Sequence, residues 1–122
     1  MDKQFVDRVV DILRFLDLEQ AVLERLHYDL FLDLNLNWAD HLSAGEVQRL
    51  ALARVFYHRP RLVFLDEATT ALPAEMEQKI LAQLAAHSIT LVSCGHRDSL
   101  RRFHQLELRL SGPHLWQLLS TT

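Results

Sequence analysis

The order of apolar and polar residues along the chain predicts helices first and a strand–helix–strand unit afterwards. Apolar residues recur at helical spacing through residues 3–16, and again in the shorter segment 19–26, so we expect two helices there. Residues 27–41 mix apolar residues with Asn and Asp, which favours an irregular connection. Two short apolar runs, 62–65 and 89–93, flank a further helical pattern and are typical of strands, the first one buried on both faces. This alternation predicts an α/β fold with parallel strands.

A third helix is predicted to begin at a turn of small residues in the middle of the chain. Ser43 and Glu46 have the types and the spacing of a capping box, and apolar residues follow at helical intervals at Val47, Leu50, Ala51 and Val55. Arg59 precedes Pro60, a position biased away from helical backbone, so the helix should end there. Unpaired N–H groups and the positive end of the helix dipole make the start of such a helix an anion site.

Polar residues follow both predicted strands. Asp66 and Glu67 come directly after the first strand, and His96 follows the second. Because the carboxyl ends of parallel strands meet at one edge of a sheet, we expect the three side chains to lie close together. An acid at a strand end can hold Mg²⁺, and a second acid one residue later can face a nucleophile. The alternative interpretation is a solvated acid pair, with one of seven histidines nearby by chance.

Composition excludes several classes of protein. The chain has 122 residues, 49% of them hydrophobic and 24% charged, which is typical of one globular domain. Its net charge of −3 argues against a nucleic acid as the main partner, and its single cysteine excludes an internal disulfide framework. No apolar run approaches the roughly 20 residues that a membrane-spanning helix needs.

Two motifs together resemble the ATP-binding cassette of ABC transporters. Leu42 to Glu46, followed by Gln48 to Arg54, is similar to the signature motif of that family, and Leu62 to Glu67 is similar to its Walker B strand. The resemblance implies a partial P-loop NTPase-like parallel sheet with a preceding helical subdomain segment. It divides the chain into residues 1–41, the end of the helical subdomain and a connection, and residues 42–122, the C-terminal part of the cassette.

The resemblance also implies roles at the strand ends. Asp66 corresponds to the residue that holds Mg²⁺, Glu67 to the general base of ATP hydrolysis, and His96 to the switch histidine that contacts the γ-phosphate. The catalytic residues implied are therefore Glu67 and His96, with Asp66 as the metal residue and ATP and Mg²⁺ as the cofactors.

The resemblance further implies that the turn within the signature motif, residues 43–46, binds nucleotide across a dimer. In the family this turn contacts ATP that the P-loop of a second cassette holds, in a head-to-tail arrangement. The residues implied here are Ser43, Ala44, Gly45 and Glu46. Ala68 to Leu72 resembles the D-loop, which crosses to the partner, but Pro73 stands where Asp or Ser is usual and puts that contact in doubt.

Glycine usage argues against a phosphate-binding loop within this chain. The P-loop needs a glycine-rich turn followed by Lys and Ser or Thr. The three glycines are scattered, and neither Lys3 nor Lys79 follows a glycine. We therefore interpret the chain as the C-terminal part of a cassette, inactive alone and active as an ATPase only when joined to a P-loop.

The branch of the family is indicated by the residues after Walker B and by the tail. Ala68 stands where DNA-linked relatives usually carry proline, and residues 95–119 resemble the peroxisomal-type (subfamily D) half-transporters and the bacterial SbmA/BacA-like transporters. We expect a transporter ATPase at the cytoplasmic face of a membrane, the bacterial inner membrane, partnered by a transmembrane domain and a second cassette, without nucleic acid. The alternatives are a decayed, non-catalytic cassette that acts as an interaction domain, and a DNA-linked ABC ATPase.

Overall fold

The computed structural model describes residues 2–24 and 37–122 of the chain. It divides into two compact units, the first formed by Met1–Pro60 and Ala68–Pro73 and the second by Arg61–Glu67 and Ala74–Thr122. The two units are defined by their internal contacts and not by family motifs. They do not test the division after residue 41, which therefore stays a prediction.

The first unit begins with the predicted amphipathic helix. Helix α1 spans Lys3–Phe15, and the side chain of Asp2 caps it by accepting the N–H of Gln4 at 3.0 Å. The second predicted helix is represented by a π-helical turn, Gln20–Glu24. The rest of that segment and most of the connection that we expected at 27–41 lie outside the described residues, apart from a 3-10 turn at Trp38–Asp40.

Helix α2 spans Ala44–His58 and has the predicted start and end. Its C-cap is Arg59, whose φ of 46° is left-handed, so the chain leaves the helix directly before Pro60. Leu52 and Phe56 are its buried apolar residues, whereas Ala51 is exposed. The helix therefore buries a different stripe from the one that its apolar periodicity indicates, because both sides of α2 carry apolar residues.

The second unit contains the predicted strand–helix–strand order. Strand β1 spans Leu62–Asp66, helix α3 spans Ala74–Ala86, and strand β2 spans Thr90–Cys94. The two strands pair in parallel, with Leu62 opposite Thr90 and Asp66 opposite Cys94. This register confirms the parallel arrangement and aligns the carboxyl ends of both strands.

The prediction that β1 is buried on both faces is wrong for this structure. Leu65 is buried, but Leu62 is 47% and Phe64 73% exposed, and Val92, opposite Phe64 on β2, is 44% exposed. Alternate residues of a strand point to opposite faces. The sheet described here has two strands, β1 and β2, and one of its faces is open. An apolar run indicates how much surface a strand can bury, but does not indicate how many layers cover it.

The remaining elements follow β2 within the second unit. A 3-10 segment, Asp98–Phe103, leads into the antiparallel hairpin of β3, Leu106–Gly112, and β4, Leu115–Ser120. Across residues 2–24 and 37–122, no helix combines the length and the apolar character needed to cross a membrane.

Candidate functional site

The turn that opens α2, residues 43–46, is held by a complete capping box. Oγ of Ser43 accepts the N–H of Glu46 at 3.2 Å, and Oε1 of Glu46 accepts the N–H of Ser43 at 3.0 Å. Ser43 and Ala44 are exposed, whereas Glu46 is 9% exposed. The N–H groups of Ala44 and Gly45 lie in the first helical turn, where donors have no acceptor within the helix. This opening turn therefore presents backbone donors for an anion, while the carboxylate of Glu46 fixes their geometry.

Gly45 lies close to a backbone segment of the first unit. A Cβ at this position would lie 3.0 Å from the carbonyl oxygen of Ala71, closer than side chains normally approach a backbone oxygen. The side chain of Gln48, one turn along α2, holds the same segment. It donates to Oγ1 of Thr70 at 2.9 Å and accepts the N–H of Ala71 at 2.8 Å. The D-loop-like segment thus lies against the opening turn, and the pattern of apolar and polar residues does not predict this role for Gln48.

The second group of candidate residues stands at the carboxyl ends of β1 and β2 in the other unit. Asp66 is the last residue of β1, and Glu67 leaves the strand with a φ of 49°. A left-handed backbone is uncommon for residues other than glycine and costs about 1–3 kcal/mol. The N–H of Glu67 donates to the carbonyl of Cys94 at 3.0 Å, which continues the pairing of the strands by one residue. This turn directs the Glu67 side chain away from the strand axis.

Glu67 and His96 meet at this edge of the sheet. Nε2 of His96 lies 3.1 Å from Oε1 of Glu67, and their side chains are 92% and 39% exposed. The contact is a hydrogen bond with a neutral imidazole N–H and an ion pair with a protonated ring. Because both side chains are open to solvent, a ligand can reach each of them. We refer to Asp66, Glu67 and His96 as the strand-end cluster.

The chemistry of Asp66 fits a magnesium ion that is shared with a ligand. Its carboxylate is exposed at the end of β1, and Mg²⁺ is usually held by one or two carboxylates together with phosphate oxygens and water. Among residues 2–24 and 37–122, no group of three or more His, Cys, Asp or Glu side chains is arranged to hold a metal alone.

One acid of α3 has a position that the sequence analysis missed. Glu77 is an acid in the first turn of α3, and it is completely buried. Its carboxylate contacts Nη1 of Arg97 at 3.2 Å and Oγ of Ser99 at 2.8 Å. The sequence carries a signal for this, since Glu77 lies at helical spacing from Ile80, Leu81 and Leu84 and therefore on the apolar stripe.

His104 is a second residue whose structural contacts the sequence did not indicate. It is half-buried, with Nε2 2.8 Å from Oγ of Ser93 and Nδ1 2.7 Å from the carbonyl oxygen of Leu100. It therefore ties the segment after β2 back to that strand.

Comparison with known proteins identifies relatives of this chain. The family model described as ABC transporter matches residues 7–70. The lysosomal cobalamin transporter ABCD4 of Homo sapiens is 44% identical over 111 residues, which cover 88% of this chain and 18% of that protein. ABC transporter D family member 1 of Arabidopsis thaliana is 37% identical over 110 residues, which cover 90% of this chain and 8% of that protein. The chain thus spans less than a fifth of the length of these relatives.

A solved structure supports the fold. The ADP conformation of MJ1267, an ATP-binding cassette of an ABC transporter, superimposes with a TM-score of 0.55 at 21% identity, covering 87% of this chain and 38% of that chain. At this identity the likeness concerns the fold alone. It confirms the predicted P-loop NTPase-like architecture, and the relatives confirm the resemblance to subfamily D cassettes.

Proposed function

The chain belongs to the ABC transporter family, as part of an ATP-binding cassette, and we propose that it supplies catalytic parts for the hydrolysis of ATP in a membrane transporter. The observation that carries this proposal is the contact of 3.1 Å between Glu67 and His96 at the carboxyl edge of a parallel sheet. A carboxylate and an imidazole that are both accessible there suit proton transfer and phosphate contact.

Glu67 is the general base in this proposal. Its carboxylate is partly exposed and has left the strand direction, so it can accept a hydrogen bond from water. As that water attacks the γ-phosphorus, the bond to the β–γ bridging oxygen breaks and ADP leaves, and the carboxylate takes the proton of the water. His96 orients Glu67 through the contact of 3.1 Å made by Nε2. The other ring nitrogen, Nδ1, donates a hydrogen bond to a γ-phosphate oxygen when the imidazole is protonated on both nitrogens.

Asp66 would hold Mg²⁺ through its exposed carboxylate. Bound there with ATP, the metal neutralises charge on the phosphate oxygens. The scattered glycines of this chain support a proposal in which another segment of the transporter cradles the phosphates.

The opening turn of α2 binds the γ-phosphate of ATP held by a second cassette. Ser43, Ala44 and Gly45 supply a hydroxyl and backbone donors, and Glu46 holds them in place through the capping box. This role makes a head-to-tail dimer of cassettes the functional assembly. A transmembrane domain is the second partner, and we place the cassette at the cytoplasmic face of a membrane, with the bacterial inner membrane as our specific proposal.

The test uses a chimera of human ABCD4 in which this chain replaces the matching segment. We expect the chimera to hydrolyse ATP and Glu67→Gln to lower kcat about 10²–10⁴-fold, the usual contribution of general-base catalysis. Glu75→Gln is the matched control, because Glu75 is an exposed acid in the first turn of α3 and should leave kcat unchanged.

The outcomes separate the alternatives. Unchanged hydrolysis in Glu67→Gln would show that Glu67 is not the base. A folded chimera that binds ATP without hydrolysing it would favour the non-catalytic interaction domain. Hydrolysis that depends on added DNA would favour a DNA-linked ATPase instead.

A further inference from the structure

Glu77 is a buried carboxylate on the apolar side of a helix. Its relative exposure is 0%, the same as that of Ile80, Leu81 and Leu84 on the same stripe of α3. A buried charge is strongly unfavourable unless charged or hydrogen-bonded partners compensate it. The position therefore needs a reason that apolar packing of α3 does not provide.

Two partners of Glu77 come from the segment directly after His96. Nη1 of Arg97 lies 3.2 Å from Oε2 of Glu77, and Oγ of Ser99 donates to Oε1 at 2.8 Å. Each carboxylate oxygen thus holds a different residue of that segment. Bonds to an ionised group are shorter and stronger than neutral ones, so this carboxylate is a firm anchor for the backbone at residues 97–99.

His96 depends on its neighbours for its position, because its own side chain is 92% exposed. On the N-terminal side, the parallel pairing of β2 with β1 extends to the bond between the Glu67 N–H and the Cys94 carbonyl. On the C-terminal side, the anchor is Glu77, acting through Arg97. An exposed side chain on an unanchored loop would lose conformational entropy each time it met its partner.

We propose that Glu77 is a positioning residue that holds His96 against Glu67 through Arg97 and Ser99. The catalytic consequence rests on the proposed function, in which Glu67 and His96 act on water and the γ-phosphate. The structural part does not, since it concerns one contact within this chain. Catalytic groups gain from being fixed before the substrate arrives, which gives a buried carboxylate at this place a purpose beyond stability.

Nuclear magnetic resonance of the 122-residue chain tests the proposal without nucleotide. The first readout is the Overhauser effect between the His96 ring and the Glu67 side chain. The second is exchange of the Leu100 amide, which donates to the Arg97 carbonyl at 3.1 Å, compared with the Glu67 amide as an internal reference. Glu77→Gln keeps the shape of the side chain but removes its charge, and Glu75→Gln makes the same change at an exposed position of the same turn.

We expect Glu77→Gln to lose the Overhauser effect and to exchange the Leu100 amide about 10–100-fold faster, the factor that follows from losing a hydrogen bond to a charged group. The Glu67 amide and the Glu75→Gln variant should remain as in the wild-type chain. A Glu77→Gln chain that keeps both the Overhauser effect and the Leu100 exchange rate would overturn the proposal.

Two further variants keep the test decisive if Glu77→Gln does not fold. Ser99→Ala removes one bond at a half-buried site and should weaken the Overhauser effect, whereas Arg97→Lys retains the positive charge and should preserve most of it. A full-strength Overhauser effect in Ser99→Ala together with its loss in Arg97→Lys would contradict the anchor.

The ABCD4 chimera separates the structural part of the proposal from the catalytic part. An inactive chimera, with the Overhauser effect between His96 and Glu67 intact in the wild-type chain, would refute the catalytic role alone. An active chimera, with the Overhauser effect and the Leu100 exchange rate unaltered in Glu77→Gln, would refute the anchor alone.

Discussion

The opening turn of α2 and the strand-end cluster present polar groups to a ligand, but interactions of different range hold them. In the opening turn, Ser43 and Glu46 bond to each other across three positions. In the strand-end cluster, Glu67 contacts residues 94 and 96, which reach it only after α3 has crossed back and β2 has paired with β1. The first arrangement forms with its helix, whereas the second requires the fold of a whole unit.

The two regions also differ in their strain. A capping box stabilises a helix, and replacing its serine usually costs about 1 kcal/mol. Glu67, by contrast, occupies a left-handed backbone conformation that is itself unfavourable. The turn after β1 therefore persists because its surroundings hold it, through the bond to Cys94 and the contact with His96. Changes in the opening turn should have local effects, and changes around the strand ends should spread.

Gly45→Ala should have the largest effect on stability, because it tests a long-range contact of the opening turn, the approach of Gly45 to Ala71. In a helix without close neighbours this change stabilises by about 0.5–1 kcal/mol. Here the new Cβ would lie 3.0 Å from the Ala71 carbonyl, and overpacking of that kind costs about 1–3 kcal/mol. We expect a net loss of up to about 2.5 kcal/mol in the free energy of unfolding, measured by denaturant titration. A gain in stability would contradict this expectation and would show that the Ala71 carbonyl does not restrict a side chain at position 45.

Ser43→Ala should cost less, about 1 kcal/mol, through loss of the bond from the Glu46 N–H. Ser43→Asn is the control, since asparagine caps helices about as well as serine. Amide exchange should accelerate in the first turn of α2 and remain unchanged at Glu67. Faster exchange at Glu67 would show that the opening turn and the strand-end cluster are coupled, and would contradict the expectation that changes in the opening turn have local effects.

The same difference in range explains what the sequence could predict. The capping box and the end of α2 depend on neighbours within a few positions, and both were confirmed. The meeting of Glu67 with His96 followed from a topological rule, because parallel strands align their carboxyl ends. Family resemblance supplied the roles of these residues, which remain proposals.

Features that depend on which side chains meet across the fold could not be predicted from local pattern. Gln48 reaches a segment more than 20 positions away, and nothing in its helix indicates that contact. The open face of β1 reflects the number of strands and layers around it, which an apolar run does not encode. Glu77 was predictable in part, because an acid on an apolar stripe requires partners, but their identity depended on where residues 97 and 99 lie.

The smallest expected effects concern two exposed ion pairs, one in each unit. They test whether surface charge contributes to the difference between the opening turn and the strand-end cluster. The hydrogen bond from Arg14 lowers the pKa of Glu19 below its ordinary value of 4.5, and the hydrogen bond from Arg101 lowers the pKa of Glu107 in the same way. Both pairs are short-range and solvent-exposed, so each should stabilise its unit only weakly and lose strength in high salt.

Because both pKa values are lowered by folding, the stability that they contribute is present above pH 4.5 and is lost as the pH falls through the folded-state values. Titration of the side-chain carboxyl carbons by nuclear magnetic resonance should show both glutamates ionising below pH 4.5. Arg101→Gln should return Glu107 towards its ordinary value and leave Glu19 unchanged, and Arg14→Gln should do the reverse. If either substitution changed the pKa of both glutamates, the two ion pairs would be electrostatically coupled, and the expectation of short-range effects would be wrong.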